Sequence, residues 1–122
     1  MGDRANFGFK QGDNTLFLYG HTAGEGMMNT LATALKAAEP RWNDDAYGTR
    51  ITISHIIGHD WTSEYGWGLS INSLRDNEHS VPIVNWADGT VSLYSASWDK
   101  PFVQDNPKFT MPISAFVDKF MK

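Results

Sequence analysis

The sequence predicts an α+β fold with an antiparallel β-sheet and helices mainly on one face of that sheet. Apolar residues alternate with polar ones in three parts of the chain, and they recur at helical spacing in three others. The predicted order of elements is β-β-α-α-β-β-β-α. A chain of 122 residues can bury one hydrophobic core but hardly two, so we expect residues 1–122 to form a single domain.

The first predicted element is a β-hairpin over residues 5–21. Alternating apolar residues flank the stretch Gly12-Asp13-Asn14, which is typical of a turn. A four-residue loop at this stretch brings four apolar side chains onto one face of the hairpin. The expected pairs are Phe9 with Leu16 and Phe7 with Leu18.

Two helices are predicted next, over about 25–38 and 44–58, from the helical spacing of their apolar residues. Pro40 ends the first helix, and Asp44 offers the N-cap chemistry that starts the second. The β-branched stretch 51–53 in the second helix equally suits a strand, so both assignments stay open there.

Arg50 is the residue that fits its predicted surroundings least well. A helical wheel of the second helix places Arg50 inside the apolar arc that Ala46, Ile53 and Ile57 form. A guanidinium that points toward a core needs a partner for its charge. We therefore expect Arg50 to be buried and paired.

The second half of the chain reads as a strand, a hairpin and a final helix. Trp67, Leu69 and Ile71 point to one side of a half-buried strand, and Asp88-Gly89 forms the two-residue turn of the hairpin. That turn pairs Trp86 with Val91 and Val84 with Leu93. Three prolines make residues 96–112 an irregular segment that wraps the body, and apolar residues at helical spacing predict a C-terminal helix over 113–121.

Composition excludes several classes of function. The net charge of −4, without a cluster of Lys or Arg, gives no electrostatic surface for nucleic acid. No apolar run is long enough to cross a bilayer, and no signal segment is recognisable, so we expect a soluble cytoplasmic protein without a membrane partner. The absence of Cys excludes disulfides and thiolate chemistry. No pattern points to a cofactor.

Tyr19, His21 and Arg50 are the candidate ligand-binding residues. Tyr19 and His21 lie two apart on the second strand and so share a face. If the second helix packs on that face, Arg50 joins them and adds a cation for a carboxylate or phosphate. The competing interpretation is that Arg50 pairs with Asp3, Asp44 or Asp45 and only ties the helix to its neighbours.

Two further patterns have both a functional and a structural interpretation. His55 and His59 have the i, i+4 spacing of a helical metal site, with Asp60 or Glu64 as a third ligand, but they equally suit solvated residues near a helix end. The glycine-bearing stretch 20–26 could cradle an anion, yet it lacks the nucleotide-binding patterns and is typical of a tight turn. We expect neither a metal site nor catalytic residues.

Three stretches resemble a group of small proteins of bacteriophages and actinobacteria: Met1-Gly2-Asp3-Arg4-Ala5-Asn6, Leu18-Tyr19-Gly20-His21, and Arg41-Trp42-Asn43-Asp44-Asp45-Ala46-Tyr47 with Arg50. The likeness covers roughly the first 75 residues. The chain departs from the group at Thr22, where members carry Trp, and in the tail from Ala96. The group has no assigned activity, cofactor or substrate, so the resemblance implies a phage-encoded setting and no mechanism.

These observations favour a non-enzymatic binding protein, a phage accessory factor that acts on a host protein in the host cytoplasm through an aromatic surface. One alternative is a binder of a small anion or nucleotide metabolite that uses Tyr19, His21 and Arg50. Another is a small hydrolase or transferase with His21 as base. The sequence leaves homo-oligomerisation open.

Overall fold

The computed structural model describes residues 2–74, 77–95 and 106–122. They form a six-stranded sheet and three α-helices, which confirms the predicted α+β class. The strands are β1 (Ala5–Gln11), β2 (Asn14–Gly20), β3 (Trp67–Ile71), β4 (Val81–Asn85), β5 (Thr90–Tyr94) and β6 (Phe109–Pro112). The helices are α1 (Met27–Ala37), α2 (Asp45–Ile57) and α3 (Ile113–Phe120), and short 3₁₀ turns follow α1 at Glu39–Arg41 and α2 at Gly58–Thr62.

The sheet has the order β3-β2-β1-β4-β5-β6 and is mixed, whereas a wholly antiparallel sheet was predicted. The β1–β2 hairpin has the predicted pairs, including Phe9 with Leu16 and Phe7 with Leu18, across a tighter turn at Gly12-Asp13. The exception to the antiparallel pattern is β1 with β4, which run parallel. Two antiparallel three-stranded units therefore meet at one parallel ladder.

All three helices pack on one face of the sheet, as predicted. This helix face carries the main core, in which Phe7, Phe9 and Leu18 of the hairpin are fully buried. The opposite face carries a smaller buried cluster of Phe17, Val81 and Ile83. Strand β2 is thus covered on both sides at its middle, because consecutive side chains of a strand point to opposite faces.

The β4–β5 hairpin differs from its predicted register by two residues. Val84 pairs with Val91, so the turn spans four residues and Trp86 lies in it. Trp86 leaves the strand because its indole is held elsewhere: the Nε1–H donates to the hydroxyl of Thr49 on α2 at 2.8 Å. A slip of two residues keeps every side chain on the same face, so the apolar face of the hairpin is preserved.

Helix α2 begins as predicted, because the carboxylate of Asp44 accepts from two N–H groups of its first turn. The expectation that Arg50 points inward is wrong, since Arg50 is exposed. The buried face of α2 includes Gly48, Thr49 and Thr52 beside the isoleucines, which moves its centre away from Arg50. These small residues suit close packing: the Thr52 hydroxyl donates to the carbonyl of Gly48, and the Thr49 hydroxyl accepts from Trp86.

The C-terminal part of the chain contains a strand, β6, that was not predicted from the sequence. Residues 106–112 were expected to be irregular, but β6 forms there and pairs with β5. The rest of the expected wrapping segment, 96–105, lies outside the described residues. The predicted last helix is present as α3, with Ile113, Phe116 and Val117 buried. No helix in the described part of the chain has the length and apolar character needed to span a bilayer.

Candidate binding surface at the sheet edge

The structure brings together two of the three predicted ligand-binding residues. The Tyr19 hydroxyl and the His21 Nδ1 lie 3.1 Å apart near the end of β2. Tyr19 is on the face opposite the helices, because its neighbour Leu18 is buried in the main core. Arg50 is exposed on a helix that packs on the other face, so it does not share a cleft with them.

Arg50 does not have the expected carboxylate partner either. Asp44 caps α2 and lies 3.8 Å from Arg41, while Asp3 contacts His79. Among residues 2–74, 77–95 and 106–122, Arg50 takes part in no ion pair. The competing interpretation, in which Arg50 ties α2 to its neighbours by pairing with Asp3, Asp44 or Asp45, is therefore wrong.

A second polar pair, which no sequence pattern indicates, lies next to His21, whose carbonyl accepts from the N–H of Asp3 at 2.8 Å. The Nε2 of His79 is 2.5 Å from Oδ1 of Asp3, and both residues are partly exposed. The hydrogen bond from His79 lowers the pKa of the Asp3 carboxyl, and the backbone of Glu25 contributes in the same direction. The pair is 76 positions apart in the sequence, so no local pattern could predict it.

The glycine-bearing stretch 20–26 is a structural turn. A Cβ at Gly24 would overlap the side chains of Asp3 and His79, so a larger residue at this position would displace that pair. The Gly24 N–H donates to the carbonyl of Asp3 at 3.0 Å, and Glu25 contributes a backbone hydrogen bond to the Asp3 carboxylate. The backbone of this loop thus binds the Asp3 carboxylate of the same chain.

His55 and His59 do not form a helical pair. Helix α2 ends at Ile57, and Gly58 then turns the chain with a φ of 63°, so His59 lies in the following 3₁₀ turn. Both imidazoles are exposed. The described residues contain no group of three or more His, Asp or Glu side chains that could hold a metal ion.

Strand β3 forms one edge of the sheet, and its pairing with β2 fixes the direction of its backbone groups. The N–H of His21 donates to the carbonyl of Gly66 at 2.9 Å. The N–H of Asn72 donates to the carbonyl of Thr15 at 2.8 Å. Because bonded positions alternate along an antiparallel ladder, positions 68 and 70 also bond to β2. The backbone groups that point away from β2 are those of Trp67, Leu69 and Ile71.

The same three residues point their side chains to the helix face, where the helices do not fully cover them. Leu69 is 52% exposed and Ile71 is 66% exposed. Two more aromatic residues lie close in sequence: Trp61, which is 47% exposed, and Tyr65, which is 76% exposed. We call Trp61, Tyr65, Leu69 and Ile71, together with the outer backbone of β3, the edge surface.

A cleft of about 240 Å³ opens on the edge surface between the 3₁₀ turn Gly58–Thr62 and β3. Its walls are mainly apolar, and its charged residue is Asp60. The residues that line it are Leu18, Ile57, Asp60, Trp61, Ser63, Trp67, Gly68 and Leu69. The cleft therefore joins buried core residues to the exposed side chains of the edge surface.

The two edges of the sheet differ in how they are protected against pairing with another chain. Natural edge strands are commonly blunted by charged residues, by Pro or by being very short. Strand β6 has four residues and ends at Pro112. Strand β3, with the sequence Trp-Gly-Leu-Ser-Ile, has neither a charge nor a proline. It is also unpaired on its outer side within the described part of the chain.

The sequence pattern places Trp67, Leu69 and Ile71 on one side of a half-buried strand but does not indicate that this strand is an edge. Which strand is an edge depends on the order of the whole sheet, and local periodicity does not contain that information. One signal was available: a strand of five residues without charge or proline, preceded by Trp61 and Tyr65. Comparison of the chain with models of protein families, with curated proteins and with solved structures finds no match.

Proposed function

We propose that this chain is a non-enzymatic binding protein that recognises an extended segment of another protein through its edge surface. The observation that carries the proposal is the unprotected edge strand β3, whose outward backbone groups and exposed apolar side chains belong to the same residues. An extended segment added to such an edge gains main-chain hydrogen bonds, and pockets for alternate side chains give it specificity.

The exposed side chains support this proposal energetically. Leu69 and Ile71 remain more than half exposed although they point to the helix face of the sheet. Burial of apolar surface contributes roughly 25 cal/mol per Å², so a partner that covers these side chains and Trp61 gains a substantial driving force. Aromatic residues such as Trp and Tyr are also enriched in the energetically important parts of interfaces.

The setting of this function follows from the resemblance to phage and actinobacterial proteins. On that basis we propose a phage-encoded accessory factor that acts in the host cytoplasm on a host protein. The alternatives based on Tyr19 and His21 have less support. Arg50 lies on the other side of the sheet, so Tyr19 and His21 lack the cation that was expected to bind an anion.

The proposal is tested by site-specific crosslinking followed by affinity measurement. A photoreactive phenylalanine analogue at Leu69 is exposed to a host-cell lysate, and the same analogue at the exposed Thr22 is the control. Proteins that crosslink only from Leu69 are then purified. Their affinity is measured for the unaltered chain and for Ile71→Lys, because a lysine on an edge opposes strand pairing.

We expect Ile71→Lys to weaken binding at least about tenfold, which corresponds to about 1.4 kcal/mol, without changing the melting temperature by more than a few degrees. Equal affinity of the two proteins for every crosslinked partner overturns the proposal. A different result is crosslinking of Leu69 to a second copy of this chain, together with a dimer in sedimentation experiments that Ile71→Lys dissociates. That result would overturn binding of a host protein and show that the edge surface pairs with itself.

A further inference from the structure

The cleft at the edge surface has the composition of a site for a positively charged side chain. Trp61 and Trp67 are among the residues that line it, and Asp60 is its charged residue. The faces of tryptophan rings attract cations, and the methylene stem of a lysine or arginine packs well on apolar walls. A neutral apolar side chain in the same cleft would cover Asp60 without answering its charge, which costs free energy.

The stretch of sequence that builds the cleft carries carboxylates but no lysine or arginine. Residues 51–74 contain Asp60 and Glu64 but no lysine and no arginine. Neither carboxylate takes part in an ion pair within residues 2–74, 77–95 and 106–122, where the ion pairs involve Lys36, Arg41 and His79. The whole chain also carries a net charge of −4. A positively charged group on a partner would therefore complement the cleft, since no ion pair of the described residues reaches Asp60.

The cleft and the edge strand can be used by one partner segment. Leu69 lines the cleft with its side chain and also presents its outward backbone groups. A segment that pairs with β3 lies about 4.8 Å away and turns every second side chain toward the helix face. One of those side chains then lies beside the open side of the cleft, close to Asp60 and Trp61.

We infer that the cleft binds the cationic side chain of a lysine or arginine carried by an extended partner segment that pairs with β3. This inference rests on the proposed function and specifies its partner: an extended segment with apolar residues at alternate positions and one basic residue among them. Apolar side chains of the segment cover Leu69 and Ile71, and the basic side chain pairs with Asp60 between the indole rings.

The test uses two ten-residue peptides of alternating threonine and valine that differ at one valine position. One carries lysine there, and the other carries norleucine, which has the same methylene stem without the ammonium group. Binding to the full chain is followed by NMR at the indole N–H signals of Trp61 and Trp67 and at the amides of β3. We expect the lysine peptide to bind at least about fivefold tighter, the scale of a partly exposed cation–π contact with an ion pair.

Three variants separate the effect of charge from the effect of shape. Asp60→Asn keeps the size of the side chain and should remove the preference for lysine. Asp13→Asn removes the same charge from the β1–β2 turn and should leave the preference intact. Trp61→Leu keeps an apolar wall without the ring and should reduce the preference in part. Melting curves of each variant establish that it is folded.

The outcomes distinguish this inference from the proposed function. If both peptides shift the amides of Trp67, Leu69 and Ile71 with equal affinity, strand pairing stands and the cationic site is wrong. A preference for lysine that survives Asp60→Asn also contradicts the site. If neither peptide perturbs β3 at millimolar concentration, both the cationic site and recognition of extended segments by this edge are overturned.

Discussion

The indole Nε1–H of Trp86 donates a hydrogen bond of 2.8 Å to the hydroxyl of Thr49, and both side chains are buried. This bond joins the β4–β5 turn to the middle of helix α2. It explains why Trp86 leaves its strand and why a polar residue faces the core from α2. Because a buried indole N–H needs an acceptor, this hydrogen bond fixes the position of α2 relative to the β4–β5 turn.

Thr49→Val should destabilise the protein by about 1–3 kcal/mol, because valine keeps the shape of threonine but leaves the buried Trp86 N–H without an acceptor. Urea denaturation of the variant measures this loss. Trp86→Phe provides the matched background, since phenylalanine has no N–H to satisfy. If Thr49→Val costs as much in that background as in the unaltered chain, the hydrogen bond is not the cause.

Gly48→Ala should also destabilise the protein, although alanine favours helices. A Cβ at Gly48 would lie 2.9 Å from the carbonyl oxygen of Arg41 and 3.1 Å from the Trp86 ring. We expect the overlap to outweigh the helix-propensity gain of about 1 kcal/mol. Gly68→Ala is the control, because a Cβ there meets nothing within 4 Å. Thermal denaturation should show a lower melting temperature for the first variant and an unchanged or higher one for the second.

Proline substitutions in β3 should distinguish its two sides. Leu69→Pro removes an N–H that points outward, so the ladder with β2 should persist, as proline is tolerated at such edge positions. Ser70→Pro removes an N–H that bonds to β2 and should cost about 1–3 kcal/mol more. Amide exchange of β2 together with urea denaturation measures the difference. Equal losses from the two variants would show that the outward direction assigned to Leu69 is incorrect.

The Asp3–His79 pair should make stability depend on pH in the acid range. The hydrogen bond from His79, opposed in part by desolvation, lowers the pKa of Asp3 in the folded protein. A carboxyl whose folded pKa is depressed contributes stability above its unfolded pKa of about 3.9, and loses it as the pH falls through the folded value. Asp3→Asn should therefore be less stable than the unaltered chain at pH 6, with the gap closing below about pH 4.

Urea denaturation at pH 6 and at pH 2.5 measures that gap. Asp13→Asn serves as the control, because it removes an equal charge from an exposed turn. A gap that stays constant across this range, or an identical gap for Asp13→Asn, speaks against a stabilising role of the pair.

Local features of the fold could be predicted from the sequence because they depend on neighbouring residues. The hairpin pairs of Phe7 and Phe9, the cap at Asp44 and the final helix from Ile113 all follow from short-range patterns. The register of the β4–β5 hairpin could not be predicted, because it depends on the distant partner of Trp86. The parallel pairing of β1 with β4 and the strand β6 also depend on the arrangement of the whole sheet.

The candidate site was predicted less well than the fold, for a related reason. Tyr19 and His21 are neighbours on one strand, so their proximity could be predicted. The position of Arg50 depended on the centre of the buried face of α2. That face is built partly from Gly48, Thr49 and Thr52, which an apolar pattern does not register. Small polar residues whose hydrogen bonds are satisfied inside the protein are the ones that a helical wheel misplaces.

The parallel ladder between β1 and β4 has a consequence for how the molecule opens. It pairs only Gly8–Lys10 with Ile83–Asn85, while each flanking unit has longer antiparallel ladders. A rare excursion that separates the two units would break this short ladder and the bonds that join residues 3–6 to residues 77–79, and it would leave each hairpin whole. Native-state deuterium exchange should then reach the amides of the β1–β4 ladder before those of the antiparallel ladders in either three-stranded unit, so the sheet would separate at its centre and not at its edges.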